Sequence, residues 1–283
     1  MDVREPMATL DTIERVAESN QKIHESYHIP PSSLGTECDR ALWLNFRWVK
    51  GERKTARMLR LLDRGAREEK EIVKHLRTIG IEIENTGGKQ LKVKASPWVV
   101  GRPDGIIRKG LVESPNNPHI AEFKTSNEKA FKDLQKKGVQ MAKPEHYVQM
   151  QVYMYALNIP RAFYWCVCKN NDEVYTERIK LDEEFALEQI RRGDELAVEP
   201  NLPGRISNDP EHFKCRFCRW HDFCYDIKPV EVQHNCRTCE ACEIRADGSV
   251  YCRTVHKKLT KAVEKAGCEF WDLHFDLKQS CTN

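Results

Sequence analysis

Trp98-Val99-Val100-Gly101-Arg102-Pro103-Asp104-Gly105-Ile106-Ile107 and, after a loop at 113–118 with two prolines, His119-Ile120-Ala121-Glu122-Phe123-Lys124 decide the fold. Both runs are apolar and bounded by turn residues, so both read as strands, with Asp104 in a glycine-flanked strand end. Side chains alternate along a strand, which puts Glu122 and Lys124 on one face and turns Phe123 into the core. Two carboxylates from adjacent strands can hold a hard divalent cation. Mg²⁺ favours one or two such carboxylates, with waters and phosphate oxygens completing its shell. A lysine beside them can orient or deprotonate a water and stabilise developing negative charge. A lone Glu-x-Lys is ordinarily a surface ion pair; its neighbours give this one weight.

Upstream, a polar first segment of about 30 residues reads as a helix ending at His28-Ile29-Pro30-Pro31-Ser32-Ser33, and a second helix starts at Cys38. A long amphipathic helix is expected over 55–79. Its inner face is Met58, Leu59, Leu62, Ala66, Ile72, Val73 and Leu76, and Gly80 stops it. The period then changes to two through Ile81, Ile83, Leu91 and Val93 into the run from Trp98 to Ile107. Downstream, helices over 127–137 and 145–158 precede a hairpin of 162–168 with 174–179, and a last helix spans 182–192. This order predicts an α/β fold, a small mixed sheet with helices on both faces. A Pro-, Gly- and Asn-rich stretch at 200–210 leads to a cysteine-rich end.

Across 283 residues, 46 Lys plus Arg against 43 Asp plus Glu leave a net charge of +3, so contact with nucleic acid must come from local basic patches. No window reaches the roughly 18–20 apolar residues of a membrane helix, and the start lacks a signal-peptide pattern. The expectation is a soluble cytoplasmic protein with no membrane partner, in a bacterial or phage-infected cell. No Walker phosphate loop is present, so a helicase motor would have to be a separate partner.

Together, Asp104, the pair Glu122 and Lys124, and Gln149 with Tyr153 one helical turn apart resemble the PD-(D/E)XK nuclease superfamily, in particular its RecB-like branch. The resemblance implies a restriction-endonuclease-like core. Asp104 and Glu122 match the metal-binding acids, Lys124 the motif lysine, and Gln149 and Tyr153 the QxxxY helix that lies beside the site and contacts DNA. Gly65-Ala66-Arg67-Glu68-Glu69 falls where relatives carry a first-helix ligand, which implies Glu69, with Glu68 its competitor. The implied Mg²⁺ or Mn²⁺ would be held by Glu69, Asp104, Glu122 and the Phe123 carbonyl while Lys124 positions water. Arg102, Lys109, Lys129, Lys132, Lys136 and Lys137 could track DNA phosphates, though each also suits a solvated face.

Of the 12 cysteines, only Cys38, Cys166 and Cys168 precede position 200. In a reducing compartment that number argues for metal ligation over disulfides. Cys166 and Cys168, alternating with Trp165 and Val167, read as buried small apolar residues. Cys215, Cys218 and Cys224 need a fourth thiolate, for which Cys38 is the candidate. One early and three late cysteines resemble the iron–sulfur nucleases of the same branch, AddB and the CRISPR-associated Cas-four type, and imply a [4Fe–4S] cluster. Thiolate geometry alone suits zinc equally.

Beyond Pro229, Cys236, Cys239, Cys252 and Cys268 are the expected zinc ligands, with His256 or His274 as substitutes and Cys242 and Cys281 free. A polar segment of about 50 residues has little core of its own without a metal. The expected organisation is a nuclease domain over 1–228 and a zinc module over 229–283. The expected activity is a metal-dependent DNA exonuclease acting on single strands or duplex ends in recombination, repair or phage DNA processing. The alternatives are a non-catalytic DNA-binding or scaffold protein of the same fold, or an endonuclease.

Overall fold

A computed structural model describes residues 8–21 and 25–278. Helices α1 (Ala8–Asn20), α2 (Pro31–Leu34) and α3 (Asp39–Phe46) lead into α4 (Ala56–Thr78). The Thr55 side chain caps α4 by accepting from the Met58 N–H at 3.3 Å. Gly80, at φ +84°, turns the chain out of it. Ile72, Val73 and Leu76 are buried as the helical period predicts. Met58 and Leu62, placed on the inner face by the same period, are instead 41% and 55% exposed. This first half of α4 lies against α1, whose Leu10, Ile13 and Val16 are themselves exposed.

Strands β1 (Glu82–Glu84), β4 (Gly105–Lys109), β5 (His119–Ser126), β6 (Arg161–Cys168) and β7 (Val174–Lys180) form a five-stranded sheet in the order β1-β4-β5-β6-β7. Only β5 and β6 run parallel. Between them lie α5 (Glu128–Ala142), kinked at Gly138 (φ +71°), and α6 (Pro144–Leu157). The sheet is therefore mixed and covered on both faces, as expected.

The run from Trp98 to Ile107 is two strands, not one. Short β2 (Val93–Lys94) pairs with β3 (Val100–Gly101) in a separate ribbon, and β4 starts afresh at Gly105. Pro103, which has no N–H to give a ladder, sits in the bend between them. Asp104 consequently occupies a bend before a strand, where the sequence had suggested a strand end.

Alternation along β5 and β6 sorts the core into two layers. Ala121, Phe123, Phe163 and Val167 pack with Ile72, Val73 and Leu76 of α4. Ile120, Ala162, Tyr164, Cys166 and Cys168 pack with Phe131, Leu134, Met150 and Met154 of α5 and α6. Cys166 and Cys168 are buried, as their alternation predicts. Glu122 and Lys124 share the parity of the second group.

Helix α7 (Glu183–Val198) runs past the expected end at 192 because buried Leu196 and Ala197 continue its inner face. Gly193 allows that close packing, since a Cβ there would stand 2.6 Å from Val99 Cγ2. The remaining elements are α8 (His221–Cys224), β8 (Cys242–Ile244), β9 (Val250–Cys252), β10 (Lys257–Lys258), α9 (Lys261–Ala266) and α10 (Phe275–Lys278). Residues after 229 share core with the rest of the chain: Val230 and Leu277 pack with Trp43 and Trp220, and Ile244 and Val250 pack with Trp98 and Val99. Among the described residues no helix is long and apolar enough to cross a membrane.

Candidate active site

Register brings the acids together. Gly105 stands opposite Ala121, so Asp104 sits one step beyond the β4–β5 ladder, beside Glu122 and Phe123. The Phe123 N–H donates to Asp104 Oδ2 at 2.8 Å and fixes that carboxylate at the end of the sheet. Lys124 contacts Glu122 as an ion pair and stands 3.9 Å from Asp104 Oδ2. Glu69 reaches in from α4, accepting from the Gly87 N–H at 3.3 Å. Burial and the neighbouring Asp104 raise its pKa. Three acids and one lysine thus converge from α4, the β3–β4 bend and β5.

Glu122 is fully buried, and apart from the Lys124 ammonium neither of its oxygens receives a hydrogen bond of good geometry. Burial pushes its pKa up to about 8; Lys124 opposes that rise, while Asp104 and Glu69 add to it. Burial would lower the Lys124 pKa, but the three acids around it outweigh burial and raise it.

A carboxyl whose folded value exceeds its unfolded one holds its proton more tightly when folded. Its contribution to stability is therefore complete below about pH 4.5 and is lost as pH rises to about 8. Chelator-treated protein should show falling urea midpoints across that window. Glu122→Gln, which cannot titrate, should flatten the slope; equal slopes would place the titration elsewhere.

Gln149 and Tyr153 lie on α6, 5% and 2% exposed. The Tyr153 hydroxyl faces the Arg102 backbone and the Gln149 side chain. It packs so close to the β3–β4 bend that a Cβ on Gly101 would stand 2.4 Å from it. Their visible work is to hold the bend carrying Asp104; neither side chain lies open to a DNA strand as placed. Arg102, Lys129 and Lys136 are exposed. Lys132, Lys137 and Lys109 are engaged with Glu128, Asp133 and Glu82, as a solvated face would be.

A profile of the PD-(D/E)XK nuclease superfamily matches residues 4–225. The chain belongs to that superfamily. No curated protein matches it. Among solved structures, LHK-Exo in complex with dAMP is 16% identical with TM-score 0.45, covering 60% of this chain and 85% of its own. The alkaline exonuclease LHK-Exo from Laribacter hongkongensis is 15% identical with TM-score 0.44, covering 66% and 90%. A phage-related exonuclease from Haemophilus somnus is 15% identical with TM-score 0.34, covering 58% and 89%.

Elsewhere in this PD-(D/E)XK chain the fold gathers the cysteines into two neighbourhoods. Cys38, at the start of α3, reaches the Cys215–Cys224 segment, where Lys214 pairs with Glu37. Cys38, Cys218 and Cys224 pack against the Trp43 and Trp220 cluster. Cys236, Cys239, Cys252 and Cys268 line one cavity of about 20 Å³, joined there by Cys242. His256 and His274 are not among that cavity's lining residues. His274 instead hydrogen-bonds the Pro200 carbonyl at 2.9 Å. Cys281 lies outside the described residues. Among the described residues no three His, Cys, Asp or Glu groups are spaced as a finished metal cage.

Two residues outside every motif border the Glu122–Lys124 pair: Tyr164, the strand partner of Glu122, and His146, whose Nδ1 lies 2.9 Å from the Tyr164 hydroxyl. The available signal was spacing: His146 precedes Gln149 by three residues and Tyr153 by seven, which places all three along one side of α6.

Proposed function

We propose that this chain is a divalent-metal-dependent DNA exonuclease hydrolysing phosphodiester bonds in recombination, repair or phage DNA processing. The observation carrying the reading is Glu122: a wholly buried carboxylate short of donors, with Asp104 and Glu69 converging on it. A buried carboxylate in that condition is a costly arrangement unless a cation completes it. Hard oxygen donors suit Mg²⁺ or Mn²⁺, and Asp104, Glu122, the Phe123 carbonyl and Glu69 would hold it. Bound there, the ion supplies Lewis-acid polarisation of the scissile phosphate and charge stabilisation.

The chain's own groups do the rest. Lys124 takes the hydrogen-bonding position beside both acids from which a water is oriented and its developing charge stabilised. The Phe123 N–H keeps Asp104 turned toward the site, and Tyr153 and Gln149 keep the bend from shifting. Arg102 and Lys129, exposed, contribute phosphate-tracking charge.

Linear and covalently closed circular DNA, incubated with Mg²⁺ or Mn²⁺, test the reading. Linear DNA should be degraded and the circle spared, and Asp104→Ala should be inactive. Cutting of the circle would make the enzyme an endonuclease. Binding of DNA without cleavage by the wild type would leave the non-catalytic alternative.

The cysteine neighbourhoods support two further assignments: a [4Fe–4S] cluster on Cys38, Cys215, Cys218 and Cys224, and zinc on Cys236, Cys239, Cys252 and Cys268. The support is the convergence of Cys38 on a segment far along the chain, and the shared cavity of the later thiols. Elemental analysis of anaerobically purified protein should find about four irons and one zinc per chain. Two zincs and no iron would overturn the cluster assignment.

A further inference from the structure

His146 stands in the first turn of α6, and its Nδ1 lies 2.9 Å from the Tyr164 hydroxyl. Tyr164 is the strand partner of Glu122, and the next inward-facing residue, Cys166, is the partner of Lys124. The imidazole is therefore anchored directly above the catalytic end of β5. The buried Tyr164 hydroxyl has two candidate acceptors, the imidazole nitrogen and the Cys166 sulfur, and sulfur is the weaker. Where the hydroxyl donates to Nδ1, the stronger acceptor, the ring proton is left on Nε2.

Among the described residues no acceptor stands within hydrogen-bond distance of that Nε2–H. The closest acid is Glu145, whose Oε1 is 3.9 Å from Nε2 and 4.0 Å from Lys143 Nζ. Both distances exceed hydrogen-bond length. A carboxylate oxygen thus hovers between an imidazole N–H and an ammonium without bonding either, in the place an anionic oxygen of a ligand would take. The α6 start cannot retreat from this place: Gly35 packs so closely that a Cβ there would lie 2.2 Å from Glu145 Cα. The side chain of His146 remains 18% exposed, enough to meet a ligand. Burial, with Lys124 and Lys143 nearby, pushes the imidazole down to about 3, so it acts as a fixed neutral donor at ordinary pH.

We propose that His146 is a substrate-binding residue of this site, its Nε2–H donating to a nonbridging phosphate oxygen of the DNA strand next to Lys124 and Lys143. This rests on the nuclease reading for the identity of the ligand. It adds a donor to the site that the acids and Lys124 do not provide.

The test compares His146→Met, of similar bulk without a donor, with His146→Gln, whose amide can donate. The readouts are KM and kcat with Mg²⁺ or Mn²⁺, and Kd for a fluorescently labelled DNA oligonucleotide in metal-free buffer. His146→Met should raise KM and Kd about tenfold, the scale of a hydrogen bond to a charged group, with kcat within about twofold. His146→Gln should recover most of the loss. Should His146→Met fail to fold, Tyr164→Phe, which unlocks the ring, replaces it and should weaken binding about threefold with kcat kept. Equal losses of kcat or thermal stability in the Met and Gln variants, with Kd unchanged, would make His146 an internal strut and overturn the proposal. Failure of the nuclease reading would look different: no cleavage by the wild type, while the metal-free Kd comparison still reports on His146.

Discussion

Replacing Lys124 with alanine is expected to slow DNA cleavage by about two to three orders of magnitude, the usual cost of removing one preorganised electrostatic partner from an active site. The ammonium touches Glu122 and lies 3.9 Å from Asp104, so it serves both acids and, in the proposed mechanism, would orient the attacking water. The same substitution has a second consequence. Glu122 is wholly buried and loses its counter-ion, and an orphaned buried charge costs several kcal/mol. The carboxyl would answer by keeping its proton, which also weakens it as a metal ligand. Stability and chemistry therefore have to be separated. In Glu122→Gln/Lys124→Met both charges go while volume is nearly kept, and neutral replacement of a buried pair is often harmless to stability. The double variant should unfold near the wild-type urea midpoint and still be inactive in single-turnover assays, whereas Lys124→Ala should be both less stable and slow. Wild-type rates in Lys124→Ala would remove the lysine from the mechanism.

Where a local rule sufficed, the fold was legible in the sequence. Alternation in 119–124 gave β5 its two faces, and the acids followed from it. Helical periodicity gave the span of α4 but not its burial, because the half of the helix carrying Met58 and Leu62 runs beside α1 and leaves both side chains exposed. Pattern alone cannot say where a partner layer ends. The break at Pro103 was readable, since a proline cannot serve a ladder, yet an apolar run on both sides concealed it. That break is what delivers Asp104 to the site. Glu69 came from a motif; its placement depends on the Gly87 N–H, eighteen residues away. Spacing put His146 on the same side of α6 as Gln149 and Tyr153, but Tyr164 looks like an ordinary core residue until the β5–β6 register sets it beside Glu122.

The region after 229 illustrates a contact that no pattern announces. Arg237, between Cys236 and Cys239, is fully buried, an expensive place for a guanidinium unless every donor is met. It pairs with Glu264 of α9, donates to the Phe46 carbonyl at 2.8 Å and to the Tyr27 carbonyl at 3.0 Å. Its plane lies 4.2 Å from the Trp48 ring centre and 4.3 Å from that of Phe46. One side chain thus ties the cysteine turn to the segment around α3. Arg237→Ala should cost about 3–5 kcal/mol, because Glu264 is left as an unpaired buried acid and two carbonyls lose their donors. Urea unfolding checks this, with Arg237→Met/Glu264→Gln as the control expected to recover a good part of the loss. The same variant should raise the reactivity of Cys236 and Cys239 toward a thiol reagent before global unfolding, since the turn between them loses its anchor. Unchanged stability in Arg237→Ala would mean that the cysteine turn is held by the thiol neighbourhood itself, and the aromatic cage would then be incidental to how this part of the chain is fastened.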